Sequence, residues 1–214
     1  MQRLHGHAFY LYGVIVALSI REALVRVGPN VFLPNSMDHW KVHLEAWRLV
    51  IFMMTICCFY LGSGVFFDKV YNGPNADEEF PNKSYGLDYV MGFVHFVAFF
   101  AWSQTIDNFT TPLLGMSPFL GFLSGIFLYD LVWLAANIRF DTVQAIKVWA
   151  ICALLVWLVA TATFLIARSI TKNDFTAEKI SFVVYGLYLI IDAAELLTGK
   201  PVFVEWMKRA IPKI

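Results

Sequence analysis

The chain has 214 residues, of which 59% are hydrophobic, 17% aromatic and 15% charged. A soluble protein of this size carries about 25% charge. Its 16 basic and 16 acidic residues cancel, and without a basic stripe or nucleic-acid motif the chain has no electrostatic footprint for a nucleic-acid partner. What is left is an all-α fold, a polytopic transmembrane helical bundle in the lipid bilayer, forming a single domain over residues 1–214.

Apolar segments predict six spans, at about 8–27, 47–67, 87–106, 118–138, 148–167 and 180–198. A hydrocarbon core about 30 Å thick needs about 20 helical residues. The first span follows one arginine, Arg3, and has no small-residue cleavage site after it, so it reads as retained rather than as a removed signal peptide. Its uninterrupted apolar run is short and takes Arg21 and Glu22 partway into the membrane. Tyr12, Ser19, Glu22 and Arg26 fall on one helical stripe. Glu22 is therefore a candidate for an ion or proton path and Arg21 for its charge partner. The plainer reading has Arg21 reaching the interface and Glu22 pairing with Arg26 at i, i+4.

Gly28-Pro29 and Pro34 punctuate the first loop. There Met37, Trp40, Leu44 and Trp47 recur at helical spacing while Asp38, Lys41 and Glu45 face elsewhere. That pattern predicts a short amphipathic interfacial helix after the first span, with tryptophans at headgroup depth. His39 and His43 are spaced i, i+4 on it, and His5-x-His7 lies at the N-terminus. A zinc site needs three or four ligands, so the metal question stays open at the sequence level. No cofactor is expected: span six has no central lysine for a Schiff base, and only His95 lies deep in a span where bis-histidine haem ligation needs pairs.

Span three carries Asp88 near its start and His95 about one-third along, seven residues apart and so on one face. Histidine titrates near neutrality, which suits a proton relay, although a lone membrane histidine also serves as a structural donor. Ser117-Pro118 sets a capping serine before proline at the first position of span four. That span holds Asp130 just past its middle. Ser117, Gly121 and Gly125 form a small-residue ridge of the GxxxG kind on the opposite face, predicted to serve close helix packing. Span five has no carboxylate. Thr176 is a candidate cap before span six.

In span six, Tyr185, Tyr188, Asp192 and Glu195 fall at i, i+3, i+7 and i+10. Hydroxyls and carboxylates thus share one face, an arrangement suited to holding a cation or relaying a proton. Intramembrane acids (Glu22, Asp130 and Asp192, with Glu195 and Asp88 nearer the span ends) exceed the single deep base, Arg21. That excess predicts a cation or proton conduit, as channel or carrier, built as a homo-oligomer because little mass lies outside the membrane. The competing reading is a non-transporting sensor, anchor or effector subunit, with a protein partner at the loops or at the basic C-terminal tail. An enzyme is the less favoured reading. Of the 16 Lys and Arg, nine fall on one side and seven on the other, a bias that places both termini in the cytoplasm of a cell membrane.

Overall fold

The structure, a computed structural model, describes residues 2–32, 39–74, 76–79, 85–111, 115–138 and 144–198. Met37, the glycine-proline stop at 199–201 and the C-terminal tail lie outside them. Six long helices run up and down: α1 (Gln2–Phe32), α2 (His39–Phe67), α4 (Tyr85–Ser103), α5 (Pro118–Ile138), α6 (Gln144–Thr171) and α7 (Asp174–Thr198). A π-helical turn, Asp68–Asn72, extends α2, and a single helical turn, α3 (Ala76–Glu79), follows it. Among the described residues there is no strand.

Four helical stretches are long and apolar enough to cross a membrane: His39–Asn72, Tyr85–Ser103, Ile151–Thr171 and Asp174–Thr198. Pro118–Trp133 is a shorter apolar helix. Many of the large apolar side chains left on the outside, among them Val14, Val65, Val97, Val159 and Leu187, would be costly against water and are at home against lipid. The chain is thus suited to a membrane-embedded helical bundle.

The helices close into a ring in the order α1–α2–α7–α6–α5–α4, with α4 returning to α1. The first end of the bundle holds the starts of α1, α4 and α6, and the second end holds their finishes. The inward face of α5 shows how the ring is filled. Phe119, Leu120, Leu123, Ile126, Phe127, Asp130 and Trp133 are all buried and recur with helical period.

Element boundaries depart from the sequence expectation in ways the local chemistry explains. Pro29 does not end α1, which continues to Phe32 with the proline inside its last turn. The proline removes the one N–H that would have bonded the Val25 carbonyl, and with only three residues left in the helix the cost stays within the last turn. Trp40, Leu44 and Trp47 sit on the opening turns of α2 itself, without a break before the apolar stretch. Asn173 caps α7, not Thr176: the Thr176 N–H donates to Asn173 Oδ1 at 2.9 Å. Ser117 does cap α5, accepting from the Leu120 N–H at 3.2 Å.

One close approach fixes α1 against α4. The Tyr12 hydroxyl donates to the Tyr89 carbonyl at 2.7 Å, and its ring lies across Gly92, where a Cβ would stand 2.9 Å from the hydroxyl oxygen. Only a residue without a side chain admits that ring.

Candidate functional site

The buried polar groups fall into three clusters, one at each end and one between. At the second end, Arg48 of α2 and Glu178 of α7 form a two-pronged ion pair, Nε to Oε1 at 2.9 Å and Nη2 to Oε2 at 3.1 Å. Arg48 Nη1 also donates to the carbonyls of Ile106 and Asn108, at 3.0 and 2.9 Å, and its guanidinium lies over the rings of Phe109 and Phe119. The two side chains are 0% and 1% exposed. A planar fork matched to a carboxylate, with its remaining protons given to carbonyls, is the geometry in which a buried pair holds. Just inside it, Trp102 packs on Phe52 and Phe119, and Phe119 on Phe182.

Glu22 belongs to this same end. It accepts from Arg26 Nε at 2.8 Å, and Arg26 reaches on to Asp107 at 3.2 Å and to Gln104 Oε1 at 2.7 Å. The structure therefore sets Glu22 apart from the deep acids with which the sequence grouped it. Its neighbour on the same stripe, Arg26, supplies the countercharge. Arg21 is exposed and, among the described residues, makes no ion pair with Asp130 or Asp192. Its position one residue before Glu22 turns it outward.

At the first end, Asp88 accepts from the Tyr71 hydroxyl at 2.6 Å and from Trp133 Nε1 at 2.9 Å. The carboxyl is thus tied by donors from the π-helical turn and from α5. It does not join His95, although the two share a face of α4. Donors from other elements decided its role, and no spacing along span three encodes them.

Between the ends lies the cluster that carries chemical interest. His95 of α4 and Asp130 of α5 are 3% and 0% exposed, with Nδ1 and Oδ1 3.7 Å apart. That separation brings charges into contact but is too long for a hydrogen bond. His95 Nε2 and both Asp130 oxygens have no hydrogen-bond partner among the described residues. Leaving one such group unsatisfied costs roughly 1–3 kcal/mol, and an unpaired buried charge costs more. The imidazole is held among Phe59, Phe99 and Tyr129, with ring centres 4.6, 5.1 and 5.4 Å away. These rings fix its plane but give it no proton acceptor.

From Asp130 the acids continue along α7 towards the first end. Asp192 is close enough to act on Asp130 electrostatically, with the buried Tyr188 beside both. Asp192 lies within reach of the Cys58 thiol and of Glu195. The Cys58 thiol also approaches the Leu189 carbonyl at 3.6 Å. Asp192 and Glu195 are half-buried where Asp130 is fully enclosed. The structure brings together His95, Asp130, Asp192 and Glu195 of the sequence-derived candidates. Cys58 joins them from α2, and a cysteine in an apolar run gives no sign of such a role.

Among the described residues, Gly121 and Gly125 do not seat another helix, while Ser117 is buried. A Cβ built on Gly121 or Gly125 would meet no atom within 4 Å. The ridge instead borders an apolar groove of about 570 Å³ between α4 and α5, with His95 in its lining. Among the described residues, no group of three or more His, Cys, Asp or Glu is placed to hold a metal ion. Comparison with protein-family models, curated proteins and solved structures finds no match to the chain.

Proposed function

We propose that the chain is a small integral membrane protein that conducts or carries a proton or other cation. In this reading α1, α2, α4, α5, α6 and α7 are its six spans, and His95, Asp130, Asp192 and Glu195 form the intramembrane path. The observation that carries the reading is the enclosed His95–Asp130 pair, with Nδ1 and Oδ1 3.7 Å apart and with His95 Nε2 and both Asp130 oxygens lacking a hydrogen-bond partner among the described residues. Ionisable groups inside a bilayer are rare and mark ion or proton paths, and this pair holds unused capacity for a proton, a water or a cation. The acids leading from it towards the first end, Asp192 and Glu195, are half-buried and supply further stations.

Several parts of the reading rest on general arguments. Homo-oligomerisation fits the outward glycine ridge on α5. A cell-membrane location with both termini cytoplasmic rests on the loop-charge bias. The test is proton flux into liposomes after a pH step, with the purified chain compared against Asp130→Asn and Asp192→Asn. Flux abolished by Asp130→Asn and weakened by Asp192→Asn is the expected result. Flux equal in all three, or indistinguishable from empty liposomes while the protein remains folded, overturns it.

A second reading is favoured by the second end. There the Arg48–Glu178 pair and the Trp102–Phe119–Phe182 layer leave the acid row without an exit. A bundle closed in this way suits a non-transporting subunit that senses or anchors through a protein partner at the loops or the C-terminal tail. Absence of flux together with recovery of a stoichiometric partner from the native membrane would select it.

A further inference from the structure

Between the enclosed pair and the half-buried acids stands one more hydroxyl. Tyr188 of α7 is buried and lies four residues before Asp192, on the same face of the helix. Its ring packs edge-on against Phe127 of α5, with ring centres 5.8 Å apart. Phe127 in turn lies three residues before Asp130 on the buried stripe of that helix. The phase of α7 and the contact with α5 thus bring the phenol to both carboxyls. Electrostatic reach agrees: Asp192, Asp130, Cys152 and Cys58, from four different helices, all act on the Tyr188 hydroxyl. The two thiols each feel Asp192, whereas the hydroxyl feels Asp130 as well.

Asp130 is placed to use such a neighbour. Both its oxygens lack a hydrogen-bond partner among the described residues, and the terminal torsion of a carboxyl is broad. The group can therefore turn from His95 on α4 towards Tyr188 on α7 without breaking any described hydrogen bond.

We propose that Tyr188 is the relay through which Asp130 and Asp192 exchange a proton, and that the path for this reason passes protons and excludes metal cations. The inference rests on the proton-or-cation reading above and narrows it. In the step, Asp130 gives its carboxyl proton to the phenol oxygen while the phenol's own proton passes to the Asp192 carboxylate. Two O–H bonds break and two form. Tyr188 ends neutral, as it began, and the negative charge moves from Asp192 to Asp130. Rotation of the phenol O–H then resets the relay. A hydroxyl can do this because it donates and accepts at once. A metal ion has no such exchange: it would have to travel bodily past the Tyr188–Phe127 contact, shedding its water in a core where desolvating a charge is expensive.

The test uses the full chain in liposomes and the variant Tyr188→Phe, which removes one oxygen and keeps the ring. After a pH step, Tyr188→Phe is expected to pass protons about 100-fold more slowly than the unaltered chain, the lower end of what one positioned proton-transfer group contributes. Its unfolding in mixed micelles should remain that of a folded bundle. In a second arm, the unaltered chain should take up no radioactive rubidium or sodium above empty liposomes; this arm decides alone if Tyr188→Phe does not fold. Proton flux in folded Tyr188→Phe equal to that of the unaltered chain overturns the relay and leaves the conduit reading standing. Rubidium or sodium uptake by the unaltered chain overturns the proton selectivity in the same way. Absence of proton flux and of ion uptake in the unaltered chain overturns the conduit reading, and the relay with it.

Discussion

Replacing Arg48 by methionine tests how far the second end of the bundle depends on one side chain. Four hydrogen bonds go with the guanidinium: two to Glu178 and one each to the carbonyls of Ile106 and Asn108. The volume is nearly conserved, so the loss is electrostatic rather than a cavity. Glu178 stays behind at 1% exposure, and breaking a buried pair by removing one partner costs about 3–5 kcal/mol. Arg48→Lys keeps the charge but not the planar fork, and forfeits at least one charged bond of roughly 1.5–3 kcal/mol. The double variant Arg48→Met/Glu178→Leu removes the stranded carboxyl as well and should be more stable than Arg48→Met, with the two carbonyls still short of a donor. Reversible unfolding in mixed micelles, titrated with sodium dodecyl sulfate and followed by tryptophan fluorescence, supplies the free energies. An Arg48→Met variant within about 1 kcal/mol of the parent, or a double variant less stable than Arg48→Met, would refute the reasoning.

Three further outcomes are expected from the same unfolding assay. Gly92→Ala forces a Cβ against the Tyr12 hydroxyl at 2.9 Å and should cost about 1–3 kcal/mol as an overpacking change. Combining it with Tyr12→Phe, which removes the clashing oxygen, should cost less than the sum of the two single changes; strict additivity would count against the contact. Gly115→Ala should destabilise by more than about 1 kcal/mol, because residue 115 has φ +77° and its Cβ would run into the Arg168 guanidinium and Asp174 carboxylate, a conformation that disfavours any side chain. Trp133→Phe removes the 2.9 Å bond to Asp88 and should cost about 1.5–3 kcal/mol, with Tyr71→Phe behaving alike at the other carboxylate oxygen.

Membrane character was legible because it is written in composition, and the deep acids because charge in an apolar run stands out without an alignment. His95, Asp130, Asp192 and Glu195 were singled out in this way, and helix direction alone places the first three in the same half of the bundle. Most partners were not legible. Arg26 could be read as the partner of Glu22 from the i, i+4 spacing, but Asp107 and Gln104, which complete that network, could not. Asp88 looked coupled to His95 until Tyr71 and Trp133 claimed it. Arg48 and Glu178 escaped notice because each lies near the start of its apolar stretch, where a charge ordinarily meets water, and 130 residues separate them. The ridge on α5 was legible as a pattern but not as a contact. The opposite face, through Leu123, Phe127 and Asp130, turns towards the core, which leaves Gly121 and Gly125 facing out.

The ring order sets a problem of timing for the growing chain. Because α2 sits between α1 and α7, its guanidinium emerges from the ribosome long before the carboxylate that neutralises it has been made. Until then that charge must rest among lipid headgroups at the membrane edge. Insertion of the early helices and final closure of the bundle are therefore separate events, and a nascent chain stalled before its last hairpin should hold α2 at a shallower depth than the finished protein does.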